Sequence, residues 1–85
     1  MRRMGTTSNR DLILYSTEGC TICDKVLDLL LGMHEAQGYR LRVVDVAFDD
    51  RLLARYGERL PVLVSGEREL AAPIERSDLA VWLAG

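Results

Sequence analysis

The sequence predicts an α/β domain: a four-stranded mixed sheet with helices on both faces, in the order β-α-β-α-β-β-α. Three observations carry this. Short aliphatic runs alternate along the chain with segments whose apolar residues recur every three or four positions. Glycines and helix-capping residues fall between them. The last two runs are separated by a turn too short for a crossover, so they pair as an antiparallel hairpin, whereas the first two are separated by a helix and run parallel through a right-handed crossover. One sheet layer covered on both sides is the economical packing for such an order.

The elements follow in order. Residues 1–10 form a polar tail holding Arg2, Arg3 and Arg10, expected to be a flexible, solvated terminus, and residues 11–85 form the domain. Leu12-Ile13-Leu14-Tyr15 is an almost continuous apolar run, as in a strand buried on both faces. Thr17-Glu18-Gly19 is a loop. A helix is expected from Cys20 or Thr21 to about Gln37, with Ile22, Val26, Leu29, Leu30 and Met33 on its apolar face and Gly38 as its stop. Gly32 inside it costs roughly 1 kcal/mol relative to alanine. Arg40 to Val46 is the second strand. Asp49 caps a short helix that turns Leu52, Leu53 and Tyr56 inward and ends at Gly57. Pro61 to Val64 and Arg68 to Ala71 are the hairpin strands, joined by Ser65-Gly66-Glu67. Ser77 or Asp78 caps a last helix with Leu79, Trp82 and Leu83 facing inward.

Composition excludes several function classes. At 85 residues, 48% apolar and 28% charged, the chain has the make-up of one small globular domain. A net charge of −2 argues against a nucleic-acid partner, because such domains carry a basic excess. No stretch approaches the roughly 20 apolar residues of a membrane span. The residues after Arg2-Arg3 are polar where a targeting signal needs an apolar run. The expected compartment is the cytoplasm, where a cysteine pair serves catalysis or metal binding more often than stapling.

The two cysteines stand as Cys20-Thr21-Ile22-Cys23, directly after a buried strand and at the first turn of a long amphipathic helix. That is the setting of a redox CxxC. A helix N-terminus presents unpaired N–H groups and partial positive charge. Both favour a thiolate at Cys20 and are expected to draw its pKa below the free-thiol value of about 8.5. Glu18 opposes this, and Asp24 does so near Cys23. Cys20 is then the attacking thiol and Cys23 the resolving thiol. A tetrahedral zinc site needs about four ligands, and two cysteines with His34, expected on the surface late in the first helix, fall short. No metal ligand is assigned.

The run Leu14-Tyr15-Ser16-Thr17-Glu18-Gly19-Cys20-Thr21-Ile22-Cys23, the strand opening Arg59-Leu60-Pro61-Val62-Leu63, and Ser77-Asp78-Leu79 resemble the thioredoxin superfamily. More narrowly, they resemble glutaredoxins, and within these a group of short bacterial glutaredoxin-like proteins of undefined function. The resemblance covers about residues 11–84. It implies a thioredoxin-like fold, a cis peptide before Pro61, and a site in which Leu60 and Pro61 lie beside the cysteine pair. The backbone before the proline would then pair with a bound peptide or glutathione. It also implies substrate-binding roles for Thr21, Ile22, Leu60, Pro61, Ser77 and Asp78. No cofactor is expected to be resident, and glutathione is a candidate co-substrate. Two departures weigh against glutathione. Glu18 and Gly19 stand where the family usually has a lysine, and Ala71-Ala72-Pro73-Ile74 stands where it usually has a Gly-Gly pair. Trp82 is read as core.

The leading function is a thiol–disulfide oxidoreductase acting on protein or low-molecular-weight disulfides, with a reductase as partner and neither nucleic acid nor membrane. The alternatives are a thioredoxin-fold peptide-binding adaptor without turnover and a metal or cluster carrier using Cys20. Fold alone does not choose among them.

Overall fold

A computed structural model describes residues 10–85. The elements are β1 (Arg10–Ser16), α1 (Thr21–Gly32), β2 (Tyr39–Asp45), α2 (Asp50–Tyr56), β3 (Val62–Ser65), β4 (Arg68–Ala71) and α3 (Arg76–Ala84), with 3-10 turns at His34–Ala36 and Val46–Phe48. They form one four-stranded sheet in the order β2-β1-β3-β4. β1 runs parallel to β2 and antiparallel to β3, and β4 is antiparallel to β3. The mixed sheet and element order are those expected.

Register divides the core into two layers. Leu14 pairs with Leu63, and Leu63 with Leu70, so these side chains share a face. Leu12, Leu14 and Leu63 meet Val26, Leu30 and Met33 from the first helical segment and Leu79 and Leu83 from α3 there. The neighbouring row, Tyr15 with Val62 and Val62 with Ala71, points the other way and is covered by Val46 and Tyr56. Leu63 is fully buried, which is worth about 1.5–3 kcal/mol relative to exposure. The hairpin between β3 and β4 pairs Ser65 with Arg68 across Gly66-Glu67. Gly66 has φ +61°, the left-handed conformation a two-residue hairpin demands.

Several expectations shift, each for a physical reason. Residues 1–9 of the expected tail lie outside the described residues, while Arg10 is the first residue of β1, paired with Tyr39. α1 ends at Gly32, not Gln37. Met33 takes an extended conformation (φ −93°, ψ 130°) that drives its side chain into the core. His34 therefore sits in a 3-10 turn, exposed, instead of on the helix. Ile22 is 56% exposed because the buried stripe of α1 is Cys23, Val26 and Leu30. Leu53 is likewise exposed, leaving Leu52 and Tyr56 to hold α2. Val46 leaves β2 for the following turn, and β3 starts at Val62, after a proline that has no N–H for the ladder. α3 begins one residue before Ser77, capped by Glu75 and not by Ser77 or Asp78. Glu75 and Asp78 form a reciprocal box, each carboxylate accepting the other's backbone N–H.

Trp82 is half-buried at the edge of the core rather than inside it. The Arg68 guanidinium lies over its ring, 4.6 Å from the centroid, and Nη2 donates to the Trp82 carbonyl. Arg68 Nη1 is buried and finds no partner among the described residues. No described helix is long and apolar enough to cross a membrane.

Candidate functional site

The CxxC turn is built from its backbone upward. Gly19, at φ +83°, reverses the chain after Glu18 in a conformation that a side chain would strain. The Cys20 N–H donates to the Thr17 carbonyl at 3.3 Å and seats Cys20 as the N-cap of α1. N-caps usually offer a side-chain oxygen to the first turn. Here sulfur takes that part: the Cys23 N–H donates to Cys20 Sγ at 3.1 Å. Cys20 and Cys23 form a disulfide with their Cα atoms 5.2 Å apart. The two sulfurs differ in access, since Cys20 is partly exposed and Cys23 is 2% exposed within the buried stripe of α1. The pair can store and release two electrons. The N–H groups and partial positive charge of the helix end sit where a Cys20 thiolate would carry its charge.

An open groove of about 800 Å³ starts at this turn. Ile22, between the two cysteines in sequence, is on its wall, and the stripe continues along α1 through Lys25, Val26 and Leu29. Leu60 and its neighbours Glu58 and Arg59 form a second wall, and Ala72, Pro73 and Ile74 a third. The Leu60–Pro61 and Ala72–Pro73 peptides are both cis. The Ala72 N–H donates to the Pro61 carbonyl at 3.0 Å and ties the second wall to the third. Arg59 is drawn toward β4 by an ion pair with Glu69 at 2.9 Å.

Behind Leu60, Tyr15 stacks on Tyr56 with ring centroids 4.3 Å apart and planes 17° apart. Burial pushes the Tyr15 phenol above its ordinary value of 10.0, and the nearby Tyr56 adds to this, against the opposing pull of Arg42 and Arg55.

Of the residues expected at the site, Ile22 and Leu60 line the one groove, Pro61 is buried and does not line it, and Thr21 is exposed at the start of α1. Ser77 and Asp78 line a separate hollow with Leu70, Val81 and Trp82. Among the described residues no group of three or more His, Cys, Asp or Glu side chains could hold a metal ion. Sequence reasoning missed Leu29 and the Ala72-Pro73-Ile74 wall as groove residues. The signal for the first was present, since Ile22, Lys25, Val26 and Leu29 follow helical spacing from the CxxC. The third wall gave no signal in its spacing, because it is loop; only the resemblance marked Ala72-Pro73-Ile74, as the place of the family's Gly-Gly pair.

Comparison with known proteins agrees with this architecture. The model of the glutaredoxin-like domain (DUF836) matches residues 11–84. Among solved structures, the chain is similar to protein XcR50 from X. campestris, at 32% identity and a TM-score of 0.74 over 86% of this chain and 95% of that one. It is also similar to protein Ne2328 from Nitrosomonas europaea, at 22% identity and a TM-score of 0.73 over 92% of this chain and 95% of that one, a likeness of fold alone. No curated protein matches the chain.

Proposed function

This chain belongs to the glutaredoxin-like domain family, and we propose on that footing that it is a dithiol–disulfide oxidoreductase. The observation that carries the reading is the asymmetry of the disulfide: a partly exposed Cys20 at a helix N-cap, joined to a buried Cys23 one turn on. In the reduced protein the Cys20 thiolate attacks one sulfur of a substrate disulfide. That S–S bond breaks and its second sulfur leaves as a thiolate. Cys23 then loses its proton and attacks Cys20 Sγ, closing the internal disulfide and releasing the other substrate sulfur. The substrate gains the two electrons that the protein loses; the Cys23 proton and one from solvent convert the two released thiolates to thiols at neutral pH.

Thr21, Ile22, Leu60 and Pro61 are the proposed substrate-contacting residues, since Thr21 and Ile22 lie between the cysteines, Ile22 and Leu60 line the groove, and Pro61 follows Leu60 across a cis peptide. The substrate is a protein or low-molecular-weight disulfide, and a cellular reductase or thiol returns the dithiol. The reading fits the cytoplasm, where thiols are kept reduced.

The test is the reduction potential of Cys20/Cys23, measured by equilibration in glutathione or dithiothreitol buffers and mass counting of free thiols. The expected result is a reversible two-electron couple between roughly −200 and −300 mV. If no internal disulfide forms in any buffer, the dithiol mechanism is refuted.

A further inference from the structure

We infer that the substrate is a disulfide of another polypeptide, presented as an extended segment with a bulky aliphatic or aromatic residue beside its cysteine and neutral or basic flanks, and not glutathione disulfide. This rests on the oxidoreductase reading and adds the substrate class. The groove that begins at Ile22 has an aliphatic surface from all three walls: Ile22 and Leu29, then Leu60, then Ile74. Glutathione has nothing to lay there. It is a tripeptide with two carboxylates, one ammonium and no side chain larger than that of its cysteine. An apolar side chain next to a substrate cysteine would be removed from water along this surface.

Charge points the same way. Four charged residues border the groove, and Arg59 is already held by Glu69 at 2.9 Å. That leaves Lys25 as the one rim cation without an acidic partner among the described residues, with Asp28 and Glu58 on the same rim, so a ligand bearing two carboxylates meets no net positive charge. A neutral or basic segment needs none.

Two of the backbone donors around the third wall, the usual alternative to a cation for holding a carboxylate, are taken by the protein itself. On the third wall the Ala72 N–H is bonded to the Pro61 carbonyl at 3.0 Å, and Pro73 has no N–H. One residue beyond Ile74, the Glu75 N–H donates to the Asp78 carboxylate at 2.9 Å, and the Glu75 carboxylate accepts the Asp78 N–H in return. Two N–H groups at the start of α3 are thus taken by the protein's own acids. Apolar lining and rim charge are independent observations, and each favours an apolar polypeptide over glutathione.

The experiment follows oxidation of the reduced protein in quenched flow, with remaining thiols alkylated and counted by mass. The oxidants are glutathione disulfide, the small aromatic dithiobis(nitrobenzoate), and disulfide dimers of six-residue peptides with Leu, Gly or Glu on both sides of the cysteine. The leucine peptide is expected to react at least about tenfold faster than the glycine peptide, as partial burial of one aliphatic side chain requires. The glutamate peptide and glutathione disulfide are expected to be slowest. Ile74→Glu should erase most of the leucine preference; the comparison within the unaltered protein decides the matter if that variant folds poorly. Glutathione disulfide reacting as fast as the leucine peptide, or no difference among the peptides, overturns this inference and leaves the oxidoreductase reading standing. Failure of every disulfide, the aromatic one included, overturns both.

Discussion

Cys20 and Cys23 should differ sharply in reactivity once the disulfide is opened. Cys23 is 2% exposed, one turn before Val26, which is 1% exposed on the same stripe. A reagent reaches Cys23 after the first turn of α1 lifts from the core, and that movement uncovers Val26 as well. Exposing a valine-sized side chain costs about 1.5–3 kcal/mol. At about 1.4 kcal/mol per decade, Cys23 is slowed roughly 10- to 100-fold. Cys20 needs no such opening, because it is partly exposed, and the helix end further favours its anionic form by about 0.3–1 kcal/mol. The assay is a brief exposure of the reduced protein to substoichiometric iodoacetamide, followed by digestion and mass quantification of each labelled cysteine. Cys20 should carry at least about ten labels for each one on Cys23. The same asymmetry predicts that Cys23→Ser accumulates a stable mixed disulfide with substrate and that Cys20→Ser does not. Labelling of Cys23 at a rate equal to or above that of Cys20 would refute the division into attacking and resolving thiols.

Two further predictions concern the frame around the site. The Asp49 carboxylate accepts the N–H groups of Arg51 and Leu52 at 2.9 and 3.2 Å, so Asp49→Ala should cost about 1 kcal/mol and lower Tm by about 4–8 °C; an unchanged melting curve would show that this cap contributes nothing. The Tyr15 phenol is pushed up from 10.0 by burial, so its folded-state value lies above its unfolded one. The stability this contributes is fully present below about pH 10 and is lost as pH rises through the folded-state value. Ultraviolet titration should therefore show a late-ionising phenol that vanishes in Tyr15→Phe, and identical curves for the two proteins would contradict the partly buried, stacked placement.

The fold was legible where local chemistry and tertiary packing agree. The run Leu12 to Tyr15, the Asp49 cap and the strand Arg68 to Ala71 each carry their signal in adjacent residues, and each stands where the pattern places it. What escaped was decided between elements. Helical spacing would run α1 through Met33, but the core at the end of the helix takes the Met33 side chain in an extended conformation, and nothing local records that. Ile22 is as apolar as Val26, yet it is exposed because the buried stripe is centred one position away. Glu75, as a long acidic side chain, is a weaker capping signal than Ser77; its partnership with Asp78 makes it the cap. At the site, the spacing of Cys20 and Cys23 and their place at a helix start could be read directly. The groove could not, because its third wall is a loop from the far end of the chain, brought opposite α1 by the sheet.

The clasp of Arg68 on Trp82 has a practical consequence. Trp82 is the chain's single tryptophan, and its indole is covered by a guanidinium from β4 while its own carbonyl is bonded to that same side chain. Its emission is therefore an optical gauge of whether the C-terminal helix is docked on the hairpin. The electron-accepting sulfurs belong to a different helix, so thiol counting and fluorescence observe separate events in one sample. Loss of the disulfide with unchanged emission identifies reduction of the intact domain, and simultaneous change in both identifies reduction that proceeds through unfolding.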